Sequence, residues 1–473
     1  MTEFEEIAKN VKELNLVETF QFIERLESQN NFISESKHAP INKLNFSIKK
    51  GNRCFEFTSE GITTVKDMLK LQSKGYGFHE PFELKGDFGN IVADAAEEAT
   101  ISFGAEAECS GEIWKLESTS FQNSKTFHRA VIPNEYNPTY THYTVLQSTR
   151  FKVGNSVRMA GLCEVKVDGT PFQLYDYKKD NQDHYLMVES LVPIKPDEFE
   201  RKMACIIYPL GFLTGTLERN EIYIIQSNNI DFKKITGFQY RRIEESVLTS
   251  MKVIDPDLFY QLTKKTNVEC WISLNIFSNL CSKVFKDHRL LRAVKIIAES
   301  NKYPLEVRAS TYSVALETLK NIVLEENEDK ISPIKNKPTA KKLRKKLTDV
   351  VDSFENAEFN NKKAVLNRIE QINQVTNSDG FELSFSLLGI KLSELDKECI
   401  KLRNDFLHGR IPFQDEKTKD PKQLQFFAYK LHFLVSALIL KYCGFSGVLK
   451  NNAKVYDLFH GKKDVQETVF RTI

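Results

Sequence analysis

The sequence predicts an α+β chain in two parts, a β-rich, sandwich-like N-terminal domain followed by an all-α C-terminal bundle. Up to about residue 245, short β-branched and aromatic runs alternate with polar residues. From Pro256 onward, apolar residues recur at three- and four-residue spacing. A chain of 473 residues, 41% hydrophobic and 27% charged, is long enough for two or three domains with cores of their own.

Residues 1–35 read as a short amphipathic helical segment, and 36–245 as the β-rich domain. Leu44, Phe46 and Ile48 alternate with polar neighbours, as do Phe55 and Phe57, so each set marks one face of a strand. Thr141 to Ser148, Phe151 to Val157, Leu162 to Val167 and Phe172 to Tyr177 are further β-prone runs. Asp168-Gly169 joins the last two as a hairpin turn, since both types tolerate positive φ. Glu221 to Ile225 and Ile235 to Tyr240 add strands, and only Ile62 to Leu71 suggests a helix here. The many Tyr and Phe residues suit either a core or a recognition surface.

Residues 250–473 read as the helical region. Helices are expected over Pro256 to Phe285, Leu290 to Ser300 and, from a proline start at Pro304, through Val314, Leu316 and Leu319 to about Glu325. Lys341 to Phe354, Lys362 to Gln374, Phe381 to Leu388, Leu392 to Leu407 and Gln423 to Cys443 follow. The acidic stretch Glu325 to Asp329, with Pro333 and Pro338 behind it, marks a break.

Several function classes fall away. The net charge of +2 gives no global attraction to nucleic acid, so any such affinity must be local. Cys54, Cys109, Cys163, Cys205, Cys270, Cys281, Cys399 and Cys443 form no CxxC pair, which suggests reduced, mostly buried thiols in a cytoplasmic protein. The acidic start, MTEFEEIAKN, lacks a signal-peptide core. The apolar run Phe433 to Leu440 reads as too short to span a bilayer, so no membrane partner is expected. There is no Walker A motif and no GxSxG, and Gly75-Tyr76-Gly77 lacks the third glycine of a nucleotide loop. His38, His79, His128, His142, His184, His288, His432 and His460 show no ligand spacing, so no metal and no cofactor are expected. His432, in an apolar helix, reads as a satisfied buried histidine. Pro196-Asp197 with Glu200 and Lys202 resembles a metal-nuclease signature only superficially and reads as a charged helix start.

Chemistry concentrates in Arg403-Asn404-Asp405-Phe406-Leu407-His408-Gly409. On a helix over 392–407, Leu392, Leu395, Cys399, Leu402 and Phe406 form one apolar seam, with Ile400, Arg403 and Leu407 on a stripe at its edge. Asn404 and His408, four apart, share a polar flank, and Gly409 is a helix stop. RNA carries its own nucleophile, the 2′-hydroxyl. Histidine near neutrality can take or give the proton, arginine can hold the phosphate in a fork, and Asn404 can orient either. One histidine is few for both proton transfers; two copies meeting across a two-fold axis would supply a second. The plainer reading is a dipole-stabilised helix end, with cations near the last turn.

These residues resemble the HEPN superfamily, all-α domains marked by an arginine, often followed by asparagine, and, after a gap of four to six residues, a histidine near a helix end. Arg403, Asn404, His408 and Gly409 match that pattern, and the resemblance covers about 300–450. It implies metal-independent endoribonuclease activity at a dimer interface, or a non-catalytic module for RNA, nucleotide or partner binding. It also implies an acidic residue on an upstream helix, for which Ala315-Leu316-Glu317-Thr318-Leu319 offers Glu317. A β-rich region ahead of such a domain is similar in architecture to ApeA-type proteins of bacterial antiphage defence, which implies a phage-derived trigger sensed by the N-terminal half.

Lys335 to Lys346 holds seven basic residues in twelve. Lys341, Lys342, Arg344, Lys345 and Lys346 suit an RNA-phosphate patch, or equally a solvated helix face. Arg308 and Lys320 are further cations that could extend such a patch.

Overall fold

The computed structural model describes residues 11–34, 45–52, 54–61, 81–95, 100–103, 107–121, 123–134, 145–179, 183–248, 251–265, 270–300, 302–407, 421–459 and 467–473. The chain divides into two compact units, Met1–Leu291 and Arg292–Ile473. The coarse expectation of a β-rich N-terminal part and a helical C-terminal part holds.

The N-terminal unit begins with β1 (Lys12–Leu14), α1 (Val17–Glu27), β2 (Asn30–Ser34), β3 (Asn45–Lys50), β4 (Phe55–Gly61), β5 (Phe82–Gly86), β6 (Gly89–Ala95) and β7 (Thr100–Phe103). It continues through β8 (Ala107–Ser118), β9 (Phe127–Asn134), β10 (Thr149–Val153), β11 (Ser156–Val167), β12 (Thr170–Lys178) and β13 (His184–Ser190). Then come α2 (Pro196–Thr214), β14 (Thr216–Leu217), β15 (Glu221–Ser227), β16 (Ile235–Arg242), β17 (Val247–Leu248), α3 (Pro256–Thr263) and α4 (Leu274–Lys286).

Fifteen of these strands make one sheet in the order β1-β10-β11-β12-β13-β9-β15-β16-β8-β4-β3-β2-β5-β6, with β7 beside β8. All its pairings are antiparallel except β1 with β10. Because β6 returns to pair with β8, six strands close a barrel: β8, β4, β3, β2, β5 and β6. The sandwich of two facing sheets suggested by the alternation is therefore corrected to one sheet curling on itself. Alternation tells which face is buried and is silent about what covers it. Closure rests on β8, whose twelve residues are long enough to pair with β4 along the first part and with both β16 and β6 along the last.

The alternating residues fill the core as expected: Phe46, Ile48, Phe55 and Phe57 are buried together with Phe20, Ile23 and Leu26 of α1. Leu44 and Ile62 to Leu71 lie outside the described residues. Asp168 (φ 48°) and Gly169 (φ 79°) form the turn between β11 and β12, where Val167 pairs with Thr170. The run Thr141 to Ser148 is described only from Val145, and its described residues make an isolated bridge, Leu146 with Ile272, rather than a strand.

The long helix α2 departs from the expectation that strands dominate this region. It is buried along most of its length, so its sequence lacks an amphipathic period, and Pro209 and Gly211 within it read as breakers. Pro196 opens it, which agrees with a charged helix start, and Gly215 (φ 74°) ends it. The helical texture after Pro256 also does not mark the end of the first unit. Helix α4 packs on β11 and α2, with the Ser278 and Ser282 hydroxyls accepting from the Lys166 and Asp168 amides at 3.0 and 2.9 Å.

The boundary between units falls within α5 (His288–Ser300). The C-terminal unit continues with α6 (Leu305–Glu326), α7 (Glu328–Ile331), α8 (Lys337–Asp352), α9 (Lys362–Glu370), α10 (Asn377–Leu387), α11 (Glu394–Leu407), α12 (Pro421–Tyr442), β18 (Val448–Lys450), α13 (Asn452–Phe459) and β19 (Phe470–Thr472). Helix α6 is central, packing on α10, α11 and α12. Strands β18 and β19 pair as a small ribbon that the sequence did not suggest.

Within α12, Lys422–Tyr442 is long and apolar enough to cross a membrane, contrary to the expectation drawn from the uninterrupted apolar run Phe433 to Leu440. Most of that stretch is buried inside the unit, where Leu431, Leu434, Val435 and Leu438 are core. Cys54, Cys163, Cys205, Cys270, Cys281, Cys399 and Cys443 are free and buried.

Candidate functional site

Helix α11 starts on a reciprocal cap. Ser393 Oγ accepts from the Asp396 amide at 3.1 Å, and the Asp396 carboxylate accepts from the Ser393 amide at 2.7 Å. The helix runs to Leu407, close to the expected span of 392–407. Its buried face differs from the predicted seam. Asp396, Cys399, Ile400, Arg403 and Phe406 are buried, whereas Leu392, Leu395 and Leu402 are half-buried. The helix is rotated so that two ionisable residues face inward, and Arg403 stands in the core line rather than at its edge. Distant partners make this rotation tolerable.

Asp396 is held by Lys430 at 2.8 Å and Arg471 at 2.6 Å, and Lys430 also reaches Glu467 at 2.5 Å. Burial pushes the Asp396 carboxyl up, but the two cations and the Ser393 amide outweigh it and hold the group below the usual carboxylate range. The network joins α11 to α12 and to β19, which anchors the motif-bearing helix.

Arg403 is 3% exposed, and its guanidinium carbon lies 3.5 Å from the centre of the Phe381 ring. Nη1 donates to the Ile400 carbonyl at 2.6 Å, while Nε has no hydrogen-bond partner. Lys320 of α6 approaches the same ring, with Nζ 4.6 Å from its centre. The Glu317 carboxylate lies 3.8 Å from Lys320 Nζ. Burial lowers the Arg403 pKa, partly countered by Glu317; burial and the Arg403 charge lower that of Lys320, against Glu317. Gly380 lets α10 approach α6 closely, since a Cβ there would sit 3.0 Å from Leu324 Cδ1 and 3.5 Å from Lys320 Cδ. That approach brings Phe381 over both cations.

The structure thus brings Arg403 and Glu317 into one neighbourhood with Lys320 and Phe381, two residues the sequence did not place. The signal for Lys320 was a lysine in the apolar face Leu316, Leu319, Val323 of α6, three residues after Glu317. Phe381 carried no signal, because its role depends on a contact between separate helices. Asn404 is exposed, on a different face from Arg403, since consecutive helical residues point about 100° apart. His408, Gly409 and Pro412 lie outside the described residues.

The basic run occupies α8, where Lys341, Lys342, Lys345 and Lys346 are exposed and Arg344 pairs with Glu370 at 3.2 Å. Helix α8 packs on α9, whereas α11 packs on α6, α10 and α12. Lys320 is buried, so it does not extend a surface patch with this run. His432 is buried, its ring edge-on to Tyr312 at 5.3 Å, and burial lowers its pKa to about 4.

Arg403, Lys320 and Glu317 together leave one net positive charge, with the Arg403 Nε donor unused. That arrangement can receive an anionic oxygen. Compared with known proteins, the chain matches no family model, no curated protein and no solved structure.

Proposed function

We propose that the protein is a metal-independent endoribonuclease of the HEPN type, acting as a homodimer with a composite site. The observation that carries this reading is the buried Arg403 guanidinium with an unpartnered Nε, five residues before His408 in the chain. Arg403 binds the scissile phosphate and stabilises its developing charge, with Lys320 beside it and Glu317 holding the pair of cations. His408 takes the proton of the 2′-hydroxyl, which attacks phosphorus. A second His408, from the other copy, protonates the departing 5′-oxygen, leaving a 2′,3′-cyclic phosphate. Asn404 orients His408, and the cations of α8 contact RNA phosphates at a distance from the reacting group. The N-terminal unit senses a phage-derived trigger and restrains cleavage until it is met, in a cytoplasmic abortive-infection defence.

The near-complete burial of Arg403 favours a second reading, a non-catalytic module for RNA or nucleotide binding or for oligomerisation. Purified His408→Ala protein decides between them. Under the first reading it loses RNA cleavage while wild type keeps its activity in EDTA. Cleavage by the variant at the wild-type rate removes the catalytic assignment, and loss of wild-type cleavage in EDTA points to a metal instead.

A further inference from the structure

The N-terminal unit holds a cleft of about 570 Å³ at β1 and the start of α1. Its floor is a buried polar cluster of Arg129, Gln173 and Glu189, each at most 2% exposed. Glu189 accepts from Arg129 Nε at 2.6 Å, from Gln173 Nε2 at 2.5 Å and from the Tyr175 hydroxyl. Arg129 Nη1 donates to Thr19 Oγ1 at 2.5 Å, and the guanidinium rests 4.1 Å from the Phe232 ring centre. These bonds fix the cluster. The Gln173 amide must turn its NH₂ toward the carboxylate, which leaves Oε1 buried without a partner. A buried acceptor in that state is destabilising unless something donates to it.

A single water would answer that acceptor, but it needs only about 30 Å³. The cleft falls instead in the range of sites that enclose small ligands, about 300–1,000 Å³. Its walls are aliphatic: Leu14, Leu16, Val17, Val153, Leu191 and Ile230. Among the described residues no aromatic ring lines it, and its acids, Glu13, Glu18, Glu189 and Asp231, outnumber its cations, Lys12, Arg129 and Lys233. Nucleotides and other polyanions are therefore poor occupants. Strand β1 ends the sheet order and, among the described residues, pairs only with β10, and an edge strand is a template for a further main chain. An edge strand, a buried donor–acceptor pair and aliphatic walls together match the repeating C=O, N–H and side chain of an extended peptide.

We propose that this cleft binds an extended aliphatic peptide segment of a partner protein, added beside β1, with one main-chain N–H donating to Gln173 Oε1. As a trigger for the C-terminal unit, this peptide rests on the sensor reading above; as a binding site it does not.

Full-length wild type and the rim variants Ile230→Arg and Val17→Glu, at positions 49% and 58% exposed, are selected against a random heptapeptide library without RNA. Aliphatic sequences should enrich on wild type, and resynthesised peptides should bind each variant about tenfold more weakly or worse. Methylating one main-chain nitrogen of the peptide should cost a similar factor, about tenfold. Unchanged melting temperatures show that the rim variants remain folded. No enriched sequence, or equal binding to wild type and both variants, overturns the proposal. Because binding is read without RNA, its failure is separate from a failure of RNA cleavage.

Discussion

Arg403 stacks on Phe381, the guanidinium carbon 3.5 Å from the ring centre, at a place where a helical core would ordinarily put a leucine. A desolvated cation–π contact contributes about 2 kcal/mol. Removing an ion from water costs several kcal/mol, and the hydrogen bond to Ile400 returns only part of that. Arg403 is thus a net burden on folding, a pattern associated with functional sites.

Replacing it tests that conclusion. Arg403→Met should keep the volume and raise stability by about 1–2 kcal/mol while abolishing RNA cleavage. Urea melts and a cleavage assay read the two effects. A loss of more than about 2 kcal/mol would show that the stack is mainly structural.

Gly380 sets the distance between α10 and α6. Gly380→Val should force Leu324 and Lys320 aside, destabilise by about 1–3 kcal/mol, and displace Phe381 from the two cations. Weakened RNA binding in a variant that still melts cooperatively is the expected result; unchanged binding and stability would mean that the helices adjust freely.

Lys430 is completely buried between Asp396 and Glu467. Lys430→Met should cost about 3–5 kcal/mol, because it leaves two buried carboxylates with less compensation. The Asp396 carboxyl is depressed, so its contribution is present above its unfolded pKa of about 3.9 and disappears as pH falls through the lower folded value. Asp396→Asn should remove that acid-dependent component from urea melts; an unchanged acid profile would argue against it.

His432 titrates at about 4 when folded, through burial, against about 6.5 in an unfolded chain. Its folded pKa is depressed, so its contribution is complete above the unfolded value and declines as pH falls from about 6.5 to 4, by about 3 kcal/mol in all. Amide-exchange protection of α12 should fall across that window, and His432→Phe should flatten the fall. Identical pH profiles would count against a buried neutral imidazole.

Val307 and Val314 stand exposed on α6, on the helix that carries Glu317. If the proposed dimer uses this face, Val314→Glu should shift the protein toward monomer in light scattering and reduce cleavage by about tenfold or more. A variant that remains fully dimeric and active would place the two-fold contact elsewhere.

Local chemistry determined much of this protein in the sequence itself. The Asp168-Gly169 turn was legible because positive φ is a property of the two residues. Helix α11 was legible because a 3.6-residue period is written in consecutive side chains, and Glu317 was drawn from a family pattern on a clear helix. Tertiary structure alone decided the rest. Barrel closure by β6 and β8, the rotation that buries Asp396 and Arg403, and the meeting of Lys320 with Phe381 all depend on contacts between residues far apart in the chain. A charged side chain reads as surface until its partner is known, and α2, buried on most sides, leaves no period to read. Which helix face turns inward is settled by the partners that make burial tolerable: Lys430 and Arg471 for Asp396, Phe381 for Arg403.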